Sequence, residues 1–146
     1  MIFTDAEYKY LTEHRLGRLA TIGPDGAPQT HPVAFWLNAG TGTIDIGGPA
    51  FTSSQKFRNA RADSRVSFII DDQAETPNPI GQTGRGIEVR GQAEIVSLDV
   101  PLIAAFSHET LRIHPQRIIA WNIDEFEPDP GRLPHLQGYN SRNVSR

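Results

Sequence analysis

Apolar residues recur along this chain with two periods, and the switches between them predict its elements. Thr4 followed by Glu7 has capping-box spacing, and Tyr8, Leu11 and Leu16 then recur near the helical period before Gly17, which predicts a helix over residues 4–15. From Arg18 the period falls to two. Residues 18–22, the turn Pro24-Asp25-Gly26 and residues 28–37 read as a hairpin. Residues 44–46 form a short strand that stops at Gly47-Gly48-Pro49. Thr52-Ser53-Ser54 then supplies caps for a second helix reaching about Ala62, with Phe57 on one face. Residues 65–71 alternate as a strand, residues 73–83 carry Pro77, Pro79 and Gly81 as a loop, and residues 86–96 read as a long strand. The small pair Gly91 and Ala93 in that strand predicts a bend or a close backbone approach.

Asp99 is placed to cap a third helix through about Ile113, with Leu102, Ile103, Phe106 and Ile113 inward and His114-Pro115 ending it. Residues 117–126 read as the last strand. The tail 127–146, rich in Pro, Gly, Asn, Ser and Arg, is expected to order against a partner chain. No internal repeat or linker divides the chain. The sum is one mainly β (α+β) domain over residues 1–146, a six-stranded antiparallel sheet with three helices, and closure into a barrel removes its edges.

Composition narrows the function. The 146 residues suit one hydrophobic core. Apolar runs are only a few residues long, and residues 2–5 lack the basic-then-apolar form of a secretory leader, so no membrane span and a cytoplasmic location are expected. The absence of cysteine removes disulfides, thiolate metal sites and thiol nucleophiles. A net charge of -3 argues against a nucleic-acid partner, because phosphate neutralisation needs a basic face. Any anion site must be local.

One local cluster answers that description. At the predicted start of the second helix, Ser53 and Ser54 stand beside Lys56 and Arg58, where free amide N–H groups, the helix dipole and two cations favour an anion; the alternative is an ordinary capped surface helix with solvated cations. On the second strand, Gln29-Thr30-His31-Pro32-Val33 offers small and polar groups to a planar ring. His31, a lone histidine beside a proline, reads first as a structural hydrogen-bonding residue, with an acid–base group as the less frequent alternative. Phe35, Trp36 and Phe51 fit a core, whereas Trp121 and Tyr139 are candidates for an aromatic ligand pocket. His14, His108, His114 and His135 show no metal-ligand spacing, and no nucleophile elbow or P-loop is present, so no metal is expected.

The runs LATIGPDGAPQ and SQKFRNARADSRVSF, with the first helix and the strand ending Val33-Ala-Phe-Trp-Leu37, resemble the pyridoxamine phosphate oxidase-like superfamily over about residues 4–126. Within it the chain is similar to the class of F420-dependent enzymes. The tail GYNSRNV is similar to one branch that includes reductases of tetracycline-type polyketides. The resemblance implies a homodimer of FMN-binding-like split barrels with two cofactor sites, each built from both chains. Ser53, Ser54, Lys56 and Arg58 match the family's phosphate-binding segment, and Gln29, His31, Pro32 and Val33 match the strand along the ring. Gly47 and Gly48 fall where the backbone approaches the cofactor, and Arg85, Gly86 and Ile87 are a further carry-over. The implied activity is hydride transfer from reduced F420 to an activated double bond of an enone, quinone or polyketide-like small molecule, with His31 or Tyr139 as candidate proton donors. Two alternatives stand beside it: an FMN-dependent oxidase or reductase, and a flavin- or haem-binding module without catalysis.

Overall fold

The computed structural model describes residues 2–144. It opens on α1 (Asp5–Thr12), whose capping box is complete: Glu7 N donates to Thr4 Oγ1 (3.2 Å) and Thr4 N donates to Glu7 Oε1 (3.0 Å). The helix is shorter than expected because Leu16, 66% exposed, opens a strand instead of continuing the apolar stripe.

The strands are β1 (Leu16–Ile22), β2 (Pro28–Ala34), β3 (Trp36–Asn38), β4 (Thr43–Ile46), β5 (Arg65–Gln73), β6 (Gly84–Ser97), β7 (Glu109–Trp121) and β8 (Tyr139–Asn143), with α2 (Gln55–Ala62) between β4 and β5. All paired neighbours are antiparallel, in the order β2-β1-β5-β6-β7-β4-β3, and β8 pairs with β7 off this path. The two ends of the path, β2 and β3, are one stretch of chain interrupted at Phe35, which is buried and meets Phe68 edge-on at 5.1 Å. That continuity joins the ends of the sheet around its core. The expected six-stranded barrel is therefore present, with its 28–37 strand broken in two and β8 added, giving eight strands and two α-helices among the described residues.

Two expectations fail. The third helix over 99–113 does not form: residues 99–108 are turns and coil, with Val100 79% exposed, and from Glu109 the chain is β7, where Leu111, Ile113 and Pro115 point inward at period two. The last strand accordingly runs from Glu109 to Trp121 rather than over 117–126. Pro115 is tolerated mid-strand because it faces a bulge, where the β6–β7 register shifts between Arg90 and Gly91. Gly91 fulfils the expected close approach, since a Cβ there would lie 2.1 Å from the His114 carbonyl oxygen. Part of the tail forms a strand on its own chain. Residues 139–143 pair with 117–121 of β7, while β4 takes the 111–113 segment on the other side of the bulge.

Arg142 of β8 then reaches α1, donating to both carboxylate oxygens of Glu7 (2.7 and 2.6 Å) and to the Ile2 carbonyl (2.7 Å). Glu7 is 2% exposed, so this ion pair fastens the end of the chain to its beginning. The core within the barrel includes Leu19, Ile44, Phe51, Phe57, Phe68, Ile87, Val89 and Ile118.

β2 is the exception to this burial. Residues 28–32 are all exposed, although successive strand residues face opposite sides. Pro28 and Pro32 cannot donate to β1, so they occupy positions whose nitrogens turn away from it, and of the outward-facing positions 28, 30 and 32 only Thr30 presents an N–H.

Candidate functional site

The predicted anion site lies where α2 starts against the β1–β2 hairpin. A short 3-10 turn, Phe51–Ser53, leads into the helix from Ala50, which takes a left-handed conformation (φ 49°), and the Phe51 amide donates to Ser107 Oγ (2.9 Å). Ser54 caps α2: its hydroxyl donates to the Phe51 carbonyl (2.6 Å) and accepts from Phe57 N (3.3 Å). The amides of Gln55 and Lys56, in the first turn, precede the point at which helical carbonyls become available to them. Arg58 folds back over the same turn, donating to the Ser53 carbonyl and to Gln55 Oε1 (2.8 Å).

Lys56 stands half-buried beside these groups, its Nζ 5.7 Å from the centroid of Phe51. Burial pushes its pKa down, and among the described residues it has no ion-pair partner. An uncompensated, partly desolvated ammonium is costly unless something anionic completes it. The cleft it lines holds about 270 Å3 and includes Gln29, Thr30 and His31 from β2, Leu19 and Thr21 from β1, and Ser54 and Gln55.

Of the residues singled out in the sequence, Gln29, His31, Ser54 and Lys56 therefore surround one cleft, with Ser53 and Arg58 at its helical rim. Pro32 is exposed on the next turn of β2, and the Val33 side chain points into the core, so neither lines the cleft. Gly47 and Gly48 follow β4 and pack elsewhere: a Cβ on Gly47 would lie 3.2 Å from Phe106, and the Gly48 carbonyl accepts from Ser107 N (3.0 Å). Arg85, Gly86 and Ile87 lie near the start of β6 and do not line the cleft. Arg85 holds Asp72 in a two-pronged bond (2.8 and 2.9 Å), Gly86 lies under the Trp121 ring, and Ile87 is fully buried. Tyr139 lines a separate cavity beside α1 and does not meet His31.

Around Asp72, Tyr10 donates its hydroxyl (2.7 Å) and His14 Nε2 approaches to 3.4 Å. The Arg85 guanidinium holds the Asp72 carboxyl well below the usual carboxylate range, while burial, with the bond to Asp72, pushes the Tyr10 phenol far up. Arg85 is thus committed within its own chain.

Sequence reasoning missed the side chains that set the cleft. Asn59, 3% exposed, donates to Thr21 Oγ1 (3.0 Å) and Gln29 Oε1 (2.8 Å) and accepts from Gln55 (2.7 Å), tying helix, β1 and β2 together. The signal for Gln55 and Asn59 was their i, i+4 spacing on α2. Thr21 was legible as a polar residue on the inward alternation of β1. Among the described residues, no group of three or more His, Asp or Glu side chains is placed to hold a metal, and no helix is long and apolar enough to cross a membrane.

Known proteins resemble this chain in sequence and in fold. The chain is 37% identical over 128 residues, 85% of its length and 86% of the relative's, to the 5a,11a-dehydrotetracycline/5a,11a-dehydrooxytetracycline reductase of Streptomyces rimosus subsp. rimosus. A conserved hypothetical protein of Mycobacterium tuberculosis superposes with a TM-score of 0.64 at 22% identity, covering 90% of this chain and 96% of that one. A solved F420 reductase superposes with a TM-score of 0.51 at 26% identity, covering 71% and 88%. The family model for pyridoxamine 5'-phosphate oxidase matches residues 3–128, nearly all of the barrel and its cleft, and the chain belongs to the pyridoxamine 5'-phosphate oxidase family.

Proposed function

We propose that this chain is a reductase that binds F420 as a homodimer and acts on an activated carbon–carbon double bond in an enone, quinone or polyketide-like small molecule. The observation that carries this reading is Lys56, a half-buried cation with no carboxylate partner among the described residues, set beside the first turn of α2 and walled by β2. Such a corner suits the negatively charged linker of a flavin-type cofactor. The name of the Streptomyces relative supports reduction of a polycyclic substrate, and the solved F420 reductase supports the deazaflavin.

Ser54, Lys56 and Arg58 would hold the linker, and Gln29, oriented by Asn59, together with His31 would flank the ring along β2. A bound reduced deazaflavin supplies a hydride for an electron-poor carbon. The chain's own part is to position, to exclude water and to furnish a proton, for which His31 at the cleft is the candidate. The fully exposed stretch of β2 supports a second copy packing over this face, as the family resemblance implies.

Titrating the purified protein with F420 and with FMN tests the reading. Quenching of F420 fluorescence with a saturable curve, and oxidation of reduced F420 in the presence of a quinone or enone, is the expected result. Yellow FMN copurifying with the protein, with no F420 quenching, would reverse the cofactor assignment. Tight binding without turnover across a broad acceptor panel would favour a carrier.

A further inference from the structure

Arg58 stands at one end of a chain of hydrogen bonds whose direction is fixed by chemistry. A guanidinium has donors and no acceptor, so the atom that Gln55 turns toward Arg58 Nη2 is its carbonyl oxygen (2.8 Å). Gln55 Nε2 is then the donor to Asn59 Oδ1 (2.7 Å), and Asn59 Nδ2 spends its two hydrogens on Thr21 Oγ1 (3.0 Å) and Gln29 Oε1 (2.8 Å). Reversing any one of these amides sets donor against donor or acceptor against acceptor, and at Asn59, 3% exposed, solvent does not make up the loss. Every carboxamide in the chain therefore turns its oxygen toward the cation and its nitrogen away from it.

The chain ends on Gln29 Nε2, whose two hydrogens have no partner among the described residues. Gln29 is exposed and lines the Lys56 cleft, opposite Thr21 in the β1–β2 pairing. Gly23, just beyond the end of β1, makes room for this amide: a Cβ there would lie 2.7 Å from Nε2. Gln29 is thus gripped at its oxygen by α2 and given space at its nitrogen by a missing side chain. What it offers a ligand at that end is a donor. Lys56, on the same helix, takes no part in the chain, and its Nζ stands over Phe51.

We propose that Gln55, Asn59 and Gly23 are positioning residues that present Gln29 as a donor of fixed direction, so that the cleft selects a ligand with an anion at the Arg58 end and a carbonyl-type acceptor at the Gln29 end, and the two ends are coupled through the amides between them. An anion drawing on the Arg58 guanidinium alters the first bond of the chain, and each following bond responds, because hydrogen bonds in series polarise one another in a low-dielectric interior. Identifying the ligand as a flavin-type cofactor, whose ring edge carries carbonyl oxygens, rests on the reductase reading; the direction of the chain and its response to an anion do not.

Side-chain amide resonances of the isotope-labelled full chain are followed as inorganic phosphate is added. The Gln29 carboxamide is expected to shift with the same midpoint as the Lys56 backbone amide, and in Gln55→Met the Lys56 amide should still shift while Gln29 stays still. A Gln29 resonance that is stationary in the wild-type chain while Lys56 saturates, or one that still moves in Gln55→Met, overturns the coupling. If phosphate moves neither, the anion cradle falls and Arg58→Met decides the chain, which stands if that substitution shifts Gln29 and is overturned if Gln29 is unmoved. With F420 as the probe, Gly23→Ala should weaken binding about fivefold or more, the order of one neutral hydrogen bond, because the intruding Cβ displaces Nε2. The phosphate midpoint should hold to within about twofold, and Gln29→Met should reproduce the loss of F420 affinity without altering the hairpin backbone. F420 affinity unaltered in both variants overturns recognition by Gln29. Phosphate shifts that are intact in a chain binding neither F420 nor FMN remove the reductase reading and leave the coupling standing.

Discussion

Lys56 concentrates the chemistry of the cleft in one side chain. Replacing it by alanine should weaken cofactor binding by about 1.5–3 kcal/mol, the range for a hydrogen bond to a charged group, measurable by fluorescence titration. An unaltered dissociation constant would count against the cradle. Asp72 makes the opposite kind of statement. Its carboxyl is depressed in the folded protein, so its contribution to stability is full above about pH 4, the ordinary carboxylate value, and is lost as pH falls from there toward the depressed folded value. Asp72→Asn should cost about 1–2 kcal/mol at neutral pH after allowance for its partial exposure, with the difference from wild type shrinking in urea melts below pH 4. At this scale the sequence was informative where residues adjoin in the chain: Ser54 and Lys56, or Gln29 and His31. It was silent where they meet through register, as Asn59 meets Thr21 and Gln29, since neither strand pairing nor helix docking is written in local spacing.

Elements built on local signals came through: the capping box of α1, the Ser54 cap of α2 and the glycine of the β6 bulge. The misread stretch is instructive because Leu102, Ile103 and Phe106 do recur at helical spacing, yet they precede a strand whose proline looked like a terminator. Pro115 is permitted only because Gly91 opposes it across the bulge, a pairing 24 residues distant in sequence. Gly91→Val should therefore destabilise by more than about 2 kcal/mol, because backbone rather than a movable side chain occupies the space a Cβ needs. The fastening of β8 to α1 is testable in the same way. Arg142→Ala leaves Glu7 buried with its main counter-charge removed and should cost about 3 kcal/mol in denaturant melts, and a loss below about 0.5 kcal/mol would show the latch to be incidental.

For the molecule as a whole, the barrel was legible because its strands are bounded by turn residues and alternate in polarity. The pairing of the tail with β7 was not, since residues 139–143 carry no apolar alternation and are held by backbone bonds and Arg142. The consequence of β2 is clearest at this scale. Residues 28–32 are exposed, and the second copy proposed to pack on them should appear in sedimentation as a species of about twice the 16.1 kDa chain mass. A monomer at all accessible concentrations would remove the second copy from the proposed site.

The two prolines of that strand also govern what it does in crowded solution. With the nitrogens at 28 and 32 unable to donate, its free margin cannot template the stacking of further chains into cross-β fibrils, however long the protein stands. Pro28→Thr combined with Pro32→Thr should leave the native fold intact, yet yield thioflavin-positive filaments on prolonged incubation where the parent protein stays clear.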